Sequence, residues 1–152
     1  MNSLPVFPCG KEGVLALLPH RDPFVWVSRI GSCDPGSSIV AELDVDPDWD
    51  MFRGHFPNHP VLPGVIVMEA LAQASCCCLM AEPGFAGNLG FLAGIDKAKF
   101  REQILPGDTV RLEATITKKS SRMCVAEVAA YKGDKVCAQA VQKYVIAPIS
   151  KR

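Results

Sequence analysis

Apolar residues change their spacing twice along this chain, and each change marks a different kind of element. KEGVLALL (11–18) has the spacing of a short helix, which Pro19 ends. FVWVSRI (24–30), dense in β-branched and aromatic residues, predicts a strand. DPGSS (34–38) is a turn, and the alternation in IVAELDV (39–45) predicts a second strand paired with the first as a hairpin. Periodicity then stops. Residues 46–63, DPDWDMFRGHFPNHPVLP, hold Pro47, Pro57, Pro60 and Pro63, and no regular element is expected there. A loop of this length inside a compact domain is generally functional. GVIVMEALAQASCCCLMA (64–81) places apolar side chains on nearly every face, so it predicts a helix buried all round, about 27 Å long. Alternation returns in 91–100, 108–119, 122–131 and 135–147, four strands of which the last three form a meander.

One buried helix with about six strands predicts an α+β domain in which a curved antiparallel sheet wraps around that helix. A single sheet leaves one side of the helix open, and a second copy of the chain would close it. The 152 residues predict one domain, 1–152, able to bury a core without disulfides. Sixteen basic and sixteen acidic residues cancel, which argues against a nucleic-acid partner. The longest apolar stretch, 65–79, is interrupted by Glu69, Gln73 and Ser75 and is too short to span a bilayer. MNSLPVFPCGKEG, at the start, lacks the basic and apolar regions of a signal peptide, so the cytoplasm is the expected compartment. The seven cysteines are odd in number and lack a C-x-x-C pair, and Cys76, Cys77 and Cys78 point in different directions on a helix. They read as free, buried thiols, with no metal site expected.

Candidate chemistry gathers where the loop meets the helix. His55 sits in a loop stiffened by Pro57, Pro60 and Pro63. Glu69 interrupts an apolar helix, where a carboxylate is costly unless paired or functional, and burial would favour its protonated form. Gln73, four residues on, shares the face of Glu69 and can orient it. Gly64 and Val65 open the helix, where free N–H groups and the dipole suit a developing oxyanion. A base and a carboxylic acid in a dry site fit removal of an α-proton and a β-hydroxyl from a thioester. The residues alone also admit a structural loop histidine and a glutamate reaching an interface arginine. His20 and His59 read as structural, each bonding a backbone carbonyl.

Three blocks carry a resemblance: LLPHRDPF (17–24), GHFPNHPVLPGVIVMEALAQA (54–74) and FLAGIDKAKFREQILPGD (91–108). In order and spacing they resemble the FabZ-type 3-hydroxyacyl-[acyl-carrier-protein] dehydratases. The middle block is the most specific, with the family's histidine and glutamate fourteen residues apart, as His55 and Glu69 are. The resemblance implies a hotdog fold, no cofactor and a dimer assembled into a trimer of dimers, with His55 of one protomer meeting Glu69 of the other. It implies dehydration of a (3R)-3-hydroxyacyl chain to the trans-2-enoyl product on a phosphopantetheine-bearing acyl carrier protein, in fatty acid or related lipid or polyene synthesis. His55 would take the α-proton, Glu69 would protonate the departing hydroxyl, and Gly64 would donate to the oxyanion. An apolar tunnel along the dimer interface would be lined by Phe56, Pro63 and Phe91. Glu69, where related isomerising dehydratases have aspartate, favours simple dehydration.

The chain departs from the family pattern at Asp22, Trp26, Ser28 and Asn58, which leaves the substrate open rather than the reaction. Lys97, Lys99 and Arg101 alternate, so a regular strand would present three cations on one face, a candidate docking patch for an acidic carrier. A solvated strand face is the plainer reading. Three alternatives stand beside the dehydratase: a hotdog acyl thioesterase, a non-catalytic partner subunit of a dehydratase, and an acyl-binding module.

Overall fold

In the computed structural model, residues 4–149 are described. The ends of the expected domain, 1–3 and 150–152, lie outside them. Six strands form one antiparallel sheet: β1 (Arg29–Asp34), β2 (Ser38–Asp44), β3 (Asn88–Phe100), β4 (Thr109–Lys119), β5 (Met123–Lys132) and β6 (Lys135–Pro148). Their order is β1-β2-β4-β5-β6-β3. The expected meander is β4-β5-β6, joined by short turns in which Gly133 takes a positive φ of 56°. Helices α1 (Lys11–Leu17) and α2 (Gly64–Met80) complete the set, and this is the α+β hotdog arrangement expected.

The sheet's inner face mixes small and large residues. Ala41, Ala114, Ala126, Ala130, Ala138 and Ala140 are buried there among Ile39, Val110, Leu112 and Val128, and the register sets Ala130 directly opposite Ala138. Small side chains let α2 approach closely, and Leu71, Leu79 and Met80 fill the space. Two polar side chains of β6 hold the layers together. Gln142 Nε2 donates to the Met68 carbonyl at 2.9 Å, and Tyr144 O–H donates to Gln142 Oε1 at 2.6 Å. Both are fully buried.

Three expectations need correction. The strand expected over 24–30 begins at Arg29. Residues 25–27 are extended and buried but pair with a side chain: Gln73 Oε1 accepts the Trp26 N–H at 2.8 Å, and Gln73 Nε2 donates to the Phe24 carbonyl at 3.0 Å. The helix side chain takes the place of a neighbouring strand. The 46–63 loop contains a short 3-10 helix, Asp50–Arg53, anchored by Phe52 in the core. Finally, α2 is not open along a whole side. Val14, Leu17, Leu18, Val25 and Val27 cover the face away from the sheet, and exposure is confined to its first turns, with Val65 76 % exposed.

The two sheet edges differ. Cys9 pairs its backbone with Ile30 and covers part of β1. The long edge strand β3 exposes Phe91, Leu92, Ile95 and Phe100, an uncovered apolar edge of the kind that pairs with another chain. No helix among the described residues is long and apolar enough to cross a membrane.

Replacing Gln73 with Leu keeps the volume but strands the Trp26 N–H and the Phe24 carbonyl. It should lower stability by about 2–4 kcal/mol, read as a lower urea midpoint at constant m. An unchanged midpoint would remove Gln73 from this role.

Candidate active site

His55 is placed by its own loop. Met51 in the 3-10 turn accepts the His55 N–H at 3.0 Å, and Val61 returns its N–H to the His55 carbonyl at 3.0 Å. Phe56 and His59 exchange backbone bonds inside this closure, and Asn58 between them takes φ 65°. That left-handed backbone suits glycine or asparagine, which accounts for Asn58 where the family commonly has glycine. The His55 ring stacks on Phe56, 4.0 Å between centroids. Its Nδ1 lies 2.8 Å from the Val61 carbonyl. A carbonyl can only accept, so Nδ1 carries a proton, and in the neutral ring the lone pair is then on Nε2.

His55 lines a cleft of about 280 Å³ with Leu62, Gly64, Val67, Phe100 and Arg101. The opening of α2 forms its wall. Ile66 and Val67 donate to the Pro63 carbonyl, leaving the N–H groups of Gly64 and Val65 without an acceptor at the positive end of the helix. Phe100 closes over Gly64: a Cβ there would sit 2.8 Å from the Phe100 ring. A larger residue at 64 would have to displace the Phe100 ring, a residue that sequence reasoning did not single out.

Glu69 faces elsewhere. Two residues beyond Val67 is a turn of about 200° around the helix axis, so the carboxyl points away from the His55 cleft. It is 24 % exposed rather than buried. Gln73 Nε2 donates to Glu69 Oε2 at 3.0 Å, as the i, i+4 spacing predicts. His20 Nε2 stands 3.8 Å from the same oxygen. Among the described residues His20 bonds no backbone carbonyl, contrary to expectation, and its Nδ1 is buried without a partner. His55 and Glu69 share neither a hydrogen bond nor an ion pair within the protomer's described residues. An aromatic run connects their surroundings, through His20, Phe24, Trp26, Trp49 and Phe52, with successive centroids 6.5, 5.6, 4.9 and 6.2 Å apart.

The remaining expected site residues scatter. Phe56 is half exposed against His55, and Pro63 caps α2. Phe91 pairs with Val145, which pairs with Met123, on the face of the sheet away from α2, so it does not line the cleft. The three cations do not all share a face. A bulge lies between Asp96 and Lys99, with Lys97 at φ 55°, and the strand ends at Phe100, before Arg101. Lys97 lies with Glu113, Glu127 and Gln139 on the outer face, Lys99 pairs with Gln139, and Arg101, past the strand, lines the cleft. Asp22, Trp26 and Ser28, the departures from the family pattern, border one surface pocket with Lys11, Asp44 and Asp46. All seven cysteines are free, five of them buried, and burial pushes the Cys76 thiol up to about 12. Among the described residues no group of three or more His, Cys, Asp or Glu is arranged to hold a metal ion.

A family model described as FabA-like domain matches residues 18–141. Named 3-hydroxyacyl-[acyl-carrier-protein] dehydratase FabZ, a protein of Desulforamulus reducens is 40% identical over 135 residues, covering 89% of this chain and 95% of its own. One of the same name from Listeria welshimeri is 43% identical over 122 residues, covering 80% and 85%. The fold matches the dehydratase heterocomplex ApeI:P from Xenorhabdus doucetiae with a TM-score of 0.76 at 18% identity, covering 96% and 94%. It also matches a hypothetical thioesterase from Streptococcus pneumoniae solved with coenzyme A, at 0.61 and 10%, covering 80% and 87%.

In nitrogen-resolved NMR the neutral His55 ring should appear as the Nδ1–H tautomer. A proton on Nε2 would contradict the assignment of Nε2 as the free base.

Proposed function

The chain belongs to the FabA-like domain family, alongside the FabZ dehydratases, and on that footing we propose that it converts (3R)-3-hydroxyacyl-[acyl-carrier-protein] to the trans-2-enoyl thioester. The observation that carries this reading is the His55 Nδ1–Val61 carbonyl bond, which leaves Nε2 as a base in a cleft walled by the start of α2. Nε2 takes the α-proton. The electron pair of that C–H bond becomes the C=C bond, and transient negative charge on the thioester oxygen falls to the free N–H of Gly64, with Val65 beside it. The C–O pair leaves with the β-oxygen, which takes a proton from Glu69 and departs as water. The mechanism requires no metal or cofactor.

Because Glu69 points away from His55 in its own protomer, we assign it to the site of a second copy, in a homodimer that a trimer of dimers would extend. The exposed apolar edge β3 and the exposed Val65 support that pairing. The acyl chain would run along this interface past Phe56, Pro63 and Phe100. Phe91 is left out of the tunnel wall because its register turns it outward. Arg101, at the cleft, is the part of the basic trio best placed to meet an acidic carrier protein, with Lys97 and Lys99 on the opposite face. We read 1–152 as one domain working in the cytoplasm, in fatty acid or related lipid synthesis. The thioesterase reading rests on fold likeness alone, and no observation here favours it over dehydration, the partner-subunit or acyl-binding readings included.

The deciding experiment incubates the protein with 3-hydroxyacyl carriers of several chain lengths and follows mass: loss of water supports dehydration, and free acid with thiol overturns it. His55→Ala should lower kcat by about 10²–10⁴-fold. Glu69→Gln should keep the fold and lose most of the rate. Full activity in either variant would take that residue out of the mechanism.

A further inference from the structure

Glu69 presents its two oxygens unequally. The Gln73 amide donates to Oε2 at 3.0 Å, and the His20 imidazole stands 3.8 Å from the same oxygen. His20 is not there by chance of a loose loop. Arg21 Nη1 donates to the Leu18 and His20 carbonyls and clamps the turn that carries the ring. The ring lies parallel to Phe24, 12° between planes, and the carbonyl of Phe24 accepts the other N–H of the Gln73 amide. Four residues from two separate segments thus form one closed circuit: His20, Phe24, Gln73 and Glu69.

We propose that His20 is a positioning residue for the general acid, holding Oε2 of Glu69 together with Gln73 so that Oε1 carries the transferable proton. This rests on the reading of Glu69 as that acid. In a protonated carboxyl, the carbonyl oxygen accepts hydrogen bonds and the other oxygen bears the proton. With Gln73 donating to it and the His20 ring facing it, Oε2 is the carbonyl oxygen, so the O–H bond that breaks is at Oε1, and its proton goes to the departing hydroxyl. At 3.8 Å the imidazole is beyond hydrogen-bond length, and such contacts commonly tighten when substrate closes the site. The buried, partnerless Nδ1 fits a ring with its single proton on Nε2. Burial, reinforced by Arg21 and opposed by Glu69, lowers the His20 pKa and keeps the ring neutral. Neutrality suits the task, because a permanent cation beside a carboxyl favours its ionised form and works against proton donation.

The test is a double-mutant cycle on purified full-length protein. His20→Phe keeps the stack on Phe24 and removes the N–H. It should lower kcat about tenfold, the factor that corresponds to one modest hydrogen bond, while KM stays nearly constant. His20→Gln, which restores a donor of similar reach, should recover most of the rate. In a Glu69→Gln background, His20→Phe should cost nothing further. Unchanged kcat in His20→Phe, failure of His20→Gln to recover it, or an equal loss in both backgrounds would overturn the proposal. Full activity of Glu69→Gln alone would instead overturn the reading of Glu69 as the acid, and this inference with it. Should His20→Phe fail to fold, His20→Asn, whose amide falls short of Oε2, takes its place in the same cycle with the same expectations.

Discussion

A helix buried along most of its length tolerates a carboxylate only where other groups meet it, and here Gln73 is the residue that makes this possible. Its amide is saturated by protein: Oε1 takes the Trp26 N–H, and Nε2 serves both the Phe24 carbonyl and Glu69. One side chain thus closes the core over α2, substitutes for a strand partner and fixes a site residue. Loss of any of these bonds leaves a buried polar group facing apolar surroundings, at a cost comparable to a large share of a domain's stability.

The other half of the site follows a different constraint. His55 is held by backbone closure in a loop, with Met51 and Val61 fixing its main chain and the Val61 carbonyl fixing its ring. The α2 N-terminus then supplies donors with no rearrangement, since Gly64 and Val65 lack acceptors by position in the helix. Phe100 over Gly64 narrows the space in front of those donors. His55 and the N–H groups of Gly64 and Val65 are therefore brought together within one protomer, and Glu69 is presented from another face of the same helix. On the proposed reading, this division of labour around one helix axis calls for two copies to complete one site.

Much of this was legible in the chain. The 3.6-residue to two-residue change in period located α2 and four strands, and GHFP with EALAQ identified the candidate pair. The Gln73–Glu69 contact followed from four-residue spacing alone. What was hidden depended on contacts distant in sequence. Residues 24–28 have strand composition, but pairing is decided by what lies alongside, and that was Gln73, 47 residues from Trp26. Arg101 parts from Lys97 and Lys99 because the strand ends at Phe100, a boundary that alternation cannot reveal. Phe91 and Phe100 sit on one strand nine residues apart, on opposite faces, and only Phe100 lines the cleft. His20 looked like a structural histidine because its neighbour Glu69 lies far along the chain.

The claim that most of the account stands on is that each site takes its base and its acid from different protomers. Co-production of His55→Ala and Glu69→Gln chains tests it most directly. Random pairing gives hybrid dimers in which one site has both intact residues, so the mixture should regain about a quarter of wild-type activity. Activity no greater than that of the two variants alone would contradict a shared site.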